Sequence, residues 1–206
     1  MPFVLDAEEL VEKKEKLPTE AFFVDTNTIV YLIDPFGESQ SDGLVADLNP
    51  KLQRLFNYIK NYHDCYCTVE VAFEYYNHIK FGTMKTQKML NNNISYRDFK
   101  RLRKTDPLFQ DVWNKRIKKF KKVFDKSFIL RDMPLDTEKL LNEFQSEYDF
   151  IDHVFYHSII HSERKNWCIL THDADFYTYP GDFYLLTFNR EIITLAKNDG
   201  KLLSSY

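Results

Sequence analysis

AFFVDTN (Ala21 to Asn27) is a run of four apolar residues that stops at a carboxylate, Asp25. Four apolar positions without polar alternation have the length and character of a strand buried on both faces, as in the middle of a parallel sheet. The next stretch, TNTIVYLID (residues 26–34), reads as a helix ended by Pro35. Strand, carboxylate and helix in succession form the first half of a βα unit.

The same alternation extends outward. Upstream, Asp6 to Leu17 reads as a charged helix ended by Pro18, with Glu8 and Glu9 in its first turn. Downstream, residues 36–49 read as a polar loop, and Pro50 to His63 repeats Leu52, Leu55, Phe56 and Ile59 at helical period. CYCT (residues 65–68) is a second short strand, with Thr68 placed to cap a helix over residues 69–80. A loop at Asn91, Asn92 and Asn93 precedes helical segments around 95–104 and 108–126. SFILR (residues 127–131), WCILT (167–171) and FYLLTF (183–188) supply three more strands. Helices are expected from Asp136 to about Ser146, from about Phe150 to Arg164, and from near Asn189. Five short apolar strands alternating with helices predict an α/β three-layer sandwich, a mainly parallel sheet flanked by helices. The expectation is a single domain over residues 1–206 with a basic helical insertion at about 80–126.

Composition bounds the function classes. With 206 residues, 44% of them hydrophobic, the chain can bury a sizeable core. No run approaches the roughly 20 apolar residues of a membrane span, and the start lacks the pattern of a signal peptide. Cys65, Cys67 and Cys168 are odd in number and sit in apolar surroundings, which favours a reducing, cytoplasmic setting over a disulfide framework. The net charge of −3 is unevenly spread. Lys80 to Lys126 holds 15 Lys/Arg against 4 Asp/Glu, while the rest holds 13 against 27. A basic segment attracts polyanions, and an acidic remainder can hold cations.

In parallel α/β sheets, ligands gather beyond the carboxyl ends of the strands. Asp25 ends the first strand. Glu70 and Glu74 open the helix after the second, on one helix face. Asp173 and Asp175 follow the fourth strand in THDADF, and Asp152 begins the helix before it. Taken singly, each has an ordinary explanation as a turn former or helix cap. Together they deliver carboxylates from four segments to one sheet end. Grouped carboxylates resist ionisation without a counter-charge, and a hard ion such as Mg²⁺ or Mn²⁺ supplies it through oxygen ligands. Such an ion also activates water and neutralises a phosphoryl oxygen, the chemistry of phosphodiester hydrolysis.

FFVDTNTIVYLI resembles the opening strand and helix of PIN-domain nucleases, and CTVEVAFEYY is similar to their second motif. ILRDMPLDTEKLLNEF resembles the strand, loop and helix ahead of the third acid, and DHVFYHSIIHSERKNWCILTHDADF the closing motif with its Thr-x-Asp. The resemblance covers most of residues 21–80 and 127–190. It implies a Mg²⁺- or Mn²⁺-dependent endoribonuclease with acids at Asp25, Glu74, Asp152 and Asp173, and Asp175 as an auxiliary ligand. Glu70 stands as the alternative to Glu74, and Asp149 as the alternative to Asp152. The gap from Asp152 to the Thr-x-Asp strand is longer than in compact toxin-type members, and Phe155 and Tyr156 stand where the family's helix is rich in alanine. The family includes toxins of the VapC type, so RNA and an antitoxin protein are the implied partners. Monomer and homodimer both stay open, as does a non-catalytic nucleic-acid- or protein-binding module on the same fold. A haloacid-dehalogenase type of phosphohydrolase would need Asp where Asn27 stands.

Thr26, Asn27 and Thr171 carry short polar groups able to position a carboxylate or a bound water. His153, His157 and His161 recur at i, i+4, i+8. Against a buried stripe of Ile151, Val154, Phe155, Ser158 and Ile159 they read as a solvated or interface face rather than a zinc site. His172 reads as an exposed loop residue. For RNA, the candidate contacts are Lys100, Arg101, Arg103 and Lys104 in one group, and Lys115, Arg116, Lys118 and Lys119 in another. The interleaved Trp113, Ile117, Phe120 and Phe124 fit a core-facing helical stripe.

Overall fold

The structure, a computed structural model, describes residues 1–13, 17, 19, 21–34, 42–90, 98–131, 135–144, 149–161 and 166–203, without the side chains of 87–90. Asn91, Asn92, Asn93, Ser146 and Arg164, which bound several expected elements, lie outside the described residues. Seven strands form one sheet: β1 (Phe3–Asp6), β2 (Ala21–Val24), β3 (Asp64–Thr68), β4 (Ile129–Arg131), β5 (Trp167–Leu170), β6 (Tyr184–Thr187) and β7 (Leu202–Leu203). Their order is β4-β3-β2-β5-β6-β1-β7, and every pairing is parallel. The flanking helices are α1 (Ala7–Lys13), α2 (Thr26–Ile33), α3 (Gly43–Lys60), α4 (Val69–Leu90), α5 (Phe99–Thr105), α6 (Pro107–Ser127), α7 (Thr137–Glu143), α8 (Phe150–Ile160) and α9 (Arg190–Asn198). The α/β sandwich with a parallel sheet is therefore present. No helix among the described residues is long and apolar enough to cross a membrane.

β2 and β5 are buried at every position, as central parallel strands must be. Their register sets Val24 opposite Leu170, so Asp25 and Thr171 leave the sheet side by side. From β2 the chain builds outward to β3 and β4, then returns to β2's other side for β5 and β6. That reversal makes the carboxyl ends of β2 and β5 the topological switch point of the sheet, where open α/β sheets bind ligands.

Several expectations need correction. Residues 36–49 are not all loop: α3 begins at Gly43 and carries Pro50 inside it. Asp42 caps its first turn, Val45 and Leu48 extend its buried face, and the Asn49 amide donates to the carbonyls of Tyr31 and Leu32. Those contacts outweigh the backbone bond that proline forfeits. Strands β1 and β7 lie outside the expected set. β1 lies between β6 and β7, with Val4 and Leu5 fully buried, so tertiary pairing makes it a strand. Ser127 closes α6 rather than opening β4.

Among the described residues the basic segment is helical, as expected of its two helical stretches, but α4 runs on into it as far as Leu90. Phe99, Phe109 and Trp113 are buried there, with Trp113 edge-on to both Phe99 and Tyr76. Phe120 stacks on Tyr75 at 5.6 Å between centroids. These rings join α4, α5 and α6 and are not free to stack on bases.

Candidate metal and nuclease site

Asp25 is buried at the carboxyl end of β2, and its backbone N–H donates to Leu170 O. Burial pushes its carboxyl up to about 7, and the charges of Glu74 and Asp173 push the same way. The Thr171 hydroxyl opposes this, donating to Asp25 Oδ2 at 3.1 Å. Thr171 Oγ1 also accepts from the Asp173 N–H at 2.9 Å. One buried threonine thus fixes both the strand-end acid and the turn bearing the next one.

Glu74 sits in the second turn of α4, half-buried, and its Oε2 accepts from the Thr26 hydroxyl at 2.5 Å. Burial raises its pKa, and Asp149 and Asp173 add to the rise. Asp173 Oδ2 accepts from the Asn27 amide at 3.2 Å, while its Oδ1 accepts from the Asp175 N–H. Asp152, in the first turn of α8, is pushed up to about 8 by burial and then by Asp25, Glu74, Asp173 and Asp149. Four elements therefore bring Asp25, Glu74, Asp152 and Asp173 into one mutually repelling group. Thr26, Asn27 and Thr171 hold three of them by hydrogen bonds.

The alternatives take other places. Glu70 lies one turn before Glu74; its charge raises the Cys67 thiol, and its Oε2 is buried without a hydrogen-bond partner. Asp149 is exposed and caps α8 by accepting from Ile151 N, yet its charge reaches Glu74, Asp152 and Asp175. Asp175 is exposed at the rim, its pKa raised by burial and by Asp173.

The carboxylates are near enough to repel but are not drawn into a tight cage. Among the described residues, the group with three metal-type ligand atoms within 4.8 Å of one another is Glu143, His157 and His161, not the acidic set. An all-oxygen set suits a hard ion such as Mg²⁺, which keeps several waters and takes one or two carboxylates directly.

Two of the three histidines are not on a solvated face, while His161 at the C-cap of α8 is partly exposed. His153 and His157 are 2% and 0% exposed, because α8 packs on both sides rather than along one stripe. His172 is half-buried, edge-on to Tyr31. Of the basic candidates, Arg116 is a structural staple: it donates to the hydroxyls of Thr83 and Thr86, joining α6 to α4. Lys119 donates to Asp34 O at the end of α2, Lys115 pairs with Asp111, and Arg101 with Asp98. Arg103 lies over the Phe99 ring. Lys100, Lys104 and Lys118 are exposed. Sequence reasoning misses Glu143 as a neighbour of the α8 histidines; only the i, i+4 spacing of His157 and His161 hints at the group. Comparison with protein-family models, with curated proteins and with solved structures finds no match to this chain.

Proposed function

We propose that this chain is a divalent-metal-dependent endoribonuclease of the PIN type, with Asp25, Glu74, Asp152 and Asp173 as its acidic centre. The carrying observation is the meeting of these four acids at the carboxyl ends of β2 and β5, with Asp25 and Asp152 lifted to about 7 and 8. Such a group is half-neutralised near neutral pH unless a cation restores its ionised form. When bound, Mg²⁺ or Mn²⁺ supplies that counter-charge, polarises a phosphoryl oxygen and activates water for in-line attack. Thr171 and Thr26 orient Asp25 and Glu74, and Asn27 aims Asp173. Lys119, bonded to the far end of α2, sets the basic α6 about one helix length from the acids, and its exposed lysines attract the RNA backbone. On this proposal the chain acts in the cytoplasm, with RNA as substrate and an antitoxin protein as the partner for a toxin role. RNA incubated with Mg²⁺ or Mn²⁺ should be cut to 5′-phosphate and 3′-hydroxyl ends, and Asp25→Asn should abolish cutting. Unchanged activity in Asp25→Asn would sink the proposal.

The loose spacing of the acids favours one second reading, a nucleic-acid- or protein-binding module without a working metal centre. Calorimetry with Mn²⁺ separates the two. Tight RNA binding with no Mn²⁺ binding selects the module.

A further inference from the structure

α8 ends with His157 and, at its C-cap, His161, one helical turn apart. Glu143 closes α7 opposite them. Its Oε2 lies 3.7 Å from His157 Nε2 and 3.9 Å from His161 Nε2. At zinc–ligand bonds of about 2.0–2.1 Å, neighbouring tetrahedral ligands stand roughly 3.3–3.4 Å apart. These two separations exceed that by a few tenths of an ångström, and all three ligand atoms lie within 4.8 Å of one another, so side-chain rotations can bring them to one ion.

A second observation points to a ligand. The His157 side chain is fully buried, and neither ring nitrogen has a hydrogen-bond partner. Buried polar groups are normally paired, so an unpaired imidazole aimed at a carboxylate and a second imidazole calls for an occupant. Glu143 and His161 also line a cavity of about 370 Å³, shared with Tyr156 and Tyr179, so two of the three ligands border open space. Lys139 stands beside the group, its Nζ 3.4 Å from His161 Nδ1 and 3.9 Å from Glu143 Oε1. It is an exposed side chain on α7 and must swing away when a cation enters.

We propose that Glu143, His157 and His161 bind a transition-metal ion of the Zn²⁺ class, fastening the end of α7 to the end of α8. Two imidazoles and one carboxylate select such an ion over Mg²⁺ or Ca²⁺, which want all-oxygen sets. The site is separate in composition from the acidic centre and does not depend on nuclease activity.

The test titrates Co²⁺ and then Zn²⁺ into the metal-stripped protein. Tetrahedral Co²⁺ with nitrogen ligands gives intense visible bands, whereas hydrated Co²⁺ on carboxylates gives faint ones. Intense bands that saturate stoichiometrically and vanish on adding Zn²⁺ are expected. Zn²⁺ should also raise the melting temperature. His161→Ala and Glu143→Gln, both at partly exposed positions, should weaken binding at least about tenfold while keeping the helical circular dichroism. Asp25→Asn should leave the bands unchanged. Absence of intense bands in the parent protein overturns the proposal, as do bands that survive both His161→Ala and Glu143→Gln or disappear in Asp25→Asn.

Discussion

Replacing Asp25 by Asn should stabilise the metal-free protein, by an amount that grows with pH. The folded carboxyl titrates at about 7 against an ordinary value of 3.8, a rise of about 3. At about 1.36 kcal/mol per pH unit, ionising Asp25 in the fold costs on the order of 4 kcal/mol. Asp25 is only 1% exposed, so water does little to screen that cost. A raised acid pKa means that the folded state holds the proton more tightly than the unfolded state. The stability is therefore fully present below about pH 4 and is lost as pH climbs through about 7. Asn keeps the shape and an oxygen for the Thr171 hydroxyl but has no proton to lose. It also removes the largest charge acting on Asp152, which then ionises at lower pH. Urea unfolding in EDTA at a series of pH values measures the effect. The two proteins should be close near pH 4, diverge toward pH 7 and then run parallel, with Asn the more stable. At neutral pH the gap corresponds to roughly 10 °C in melting temperature for a chain of this size. Mn²⁺ should narrow the gap by stabilising only the parent. A difference that does not change with pH would refute the reasoning, because a buried acid that repels its neighbours cannot be pH-silent.

Thr171→Val keeps the volume but removes the donor to Asp25 and the acceptor for the Asp173 N–H. It should cost about 1–3 kcal/mol in urea unfolding and raise the Asp25 pKa further, read as a shift in the pH profile above. Arg116→Met should destabilise the fold by about 1–3 kcal/mol through loss of the bonds to Thr83 and Thr86. Its RNA affinity, measured below the unfolding transition, should match the parent. The triple change of Lys100, Lys104 and Lys118 to Ala should do the opposite, leaving stability within about 0.5 kcal/mol at these exposed positions. It should flatten the salt dependence of RNA binding by about 0.7 in log–log slope for each phosphate that is no longer neutralised.

Local chemistry accounts for what can be read along the chain. AFFV and WCIL are uninterrupted apolar runs because both faces of β2 and β5 are covered, and that requirement is visible in four residues. Thr171 and Asp173 are separated by one residue, so their bond is a local turn and also legible. The choice between Glu74 and Glu70 is not, since both lie on α4 within one turn. What sets Glu74 apart is Thr26, 48 residues away, whose hydroxyl reaches it. Asp152 and Asp149 both interact with Glu74 by charge, and they differ in the burial of Asp152 and in the cap that Asp149 makes with Ile151 N. The α8 stripe misleads because periodicity assumes one buried face, whereas α8 is buried almost all round. Arg116 looks like its basic neighbours until the threonines of α4 stand beside it.

By itself, the sequence determined that strands and helices alternate, that Asp25 and Thr171 end two buried strands, and that the basic stretch from Lys80 to Lys126 carries helices. These features follow from burial, capping and charge within a few residues. The tertiary structure alone decided that β2 lies against β5, that β1 enters between β6 and β7, and that Glu143 meets His157 and His161. Those outcomes depend on which distant surfaces pack together, and packing is settled by the whole core rather than by any one segment.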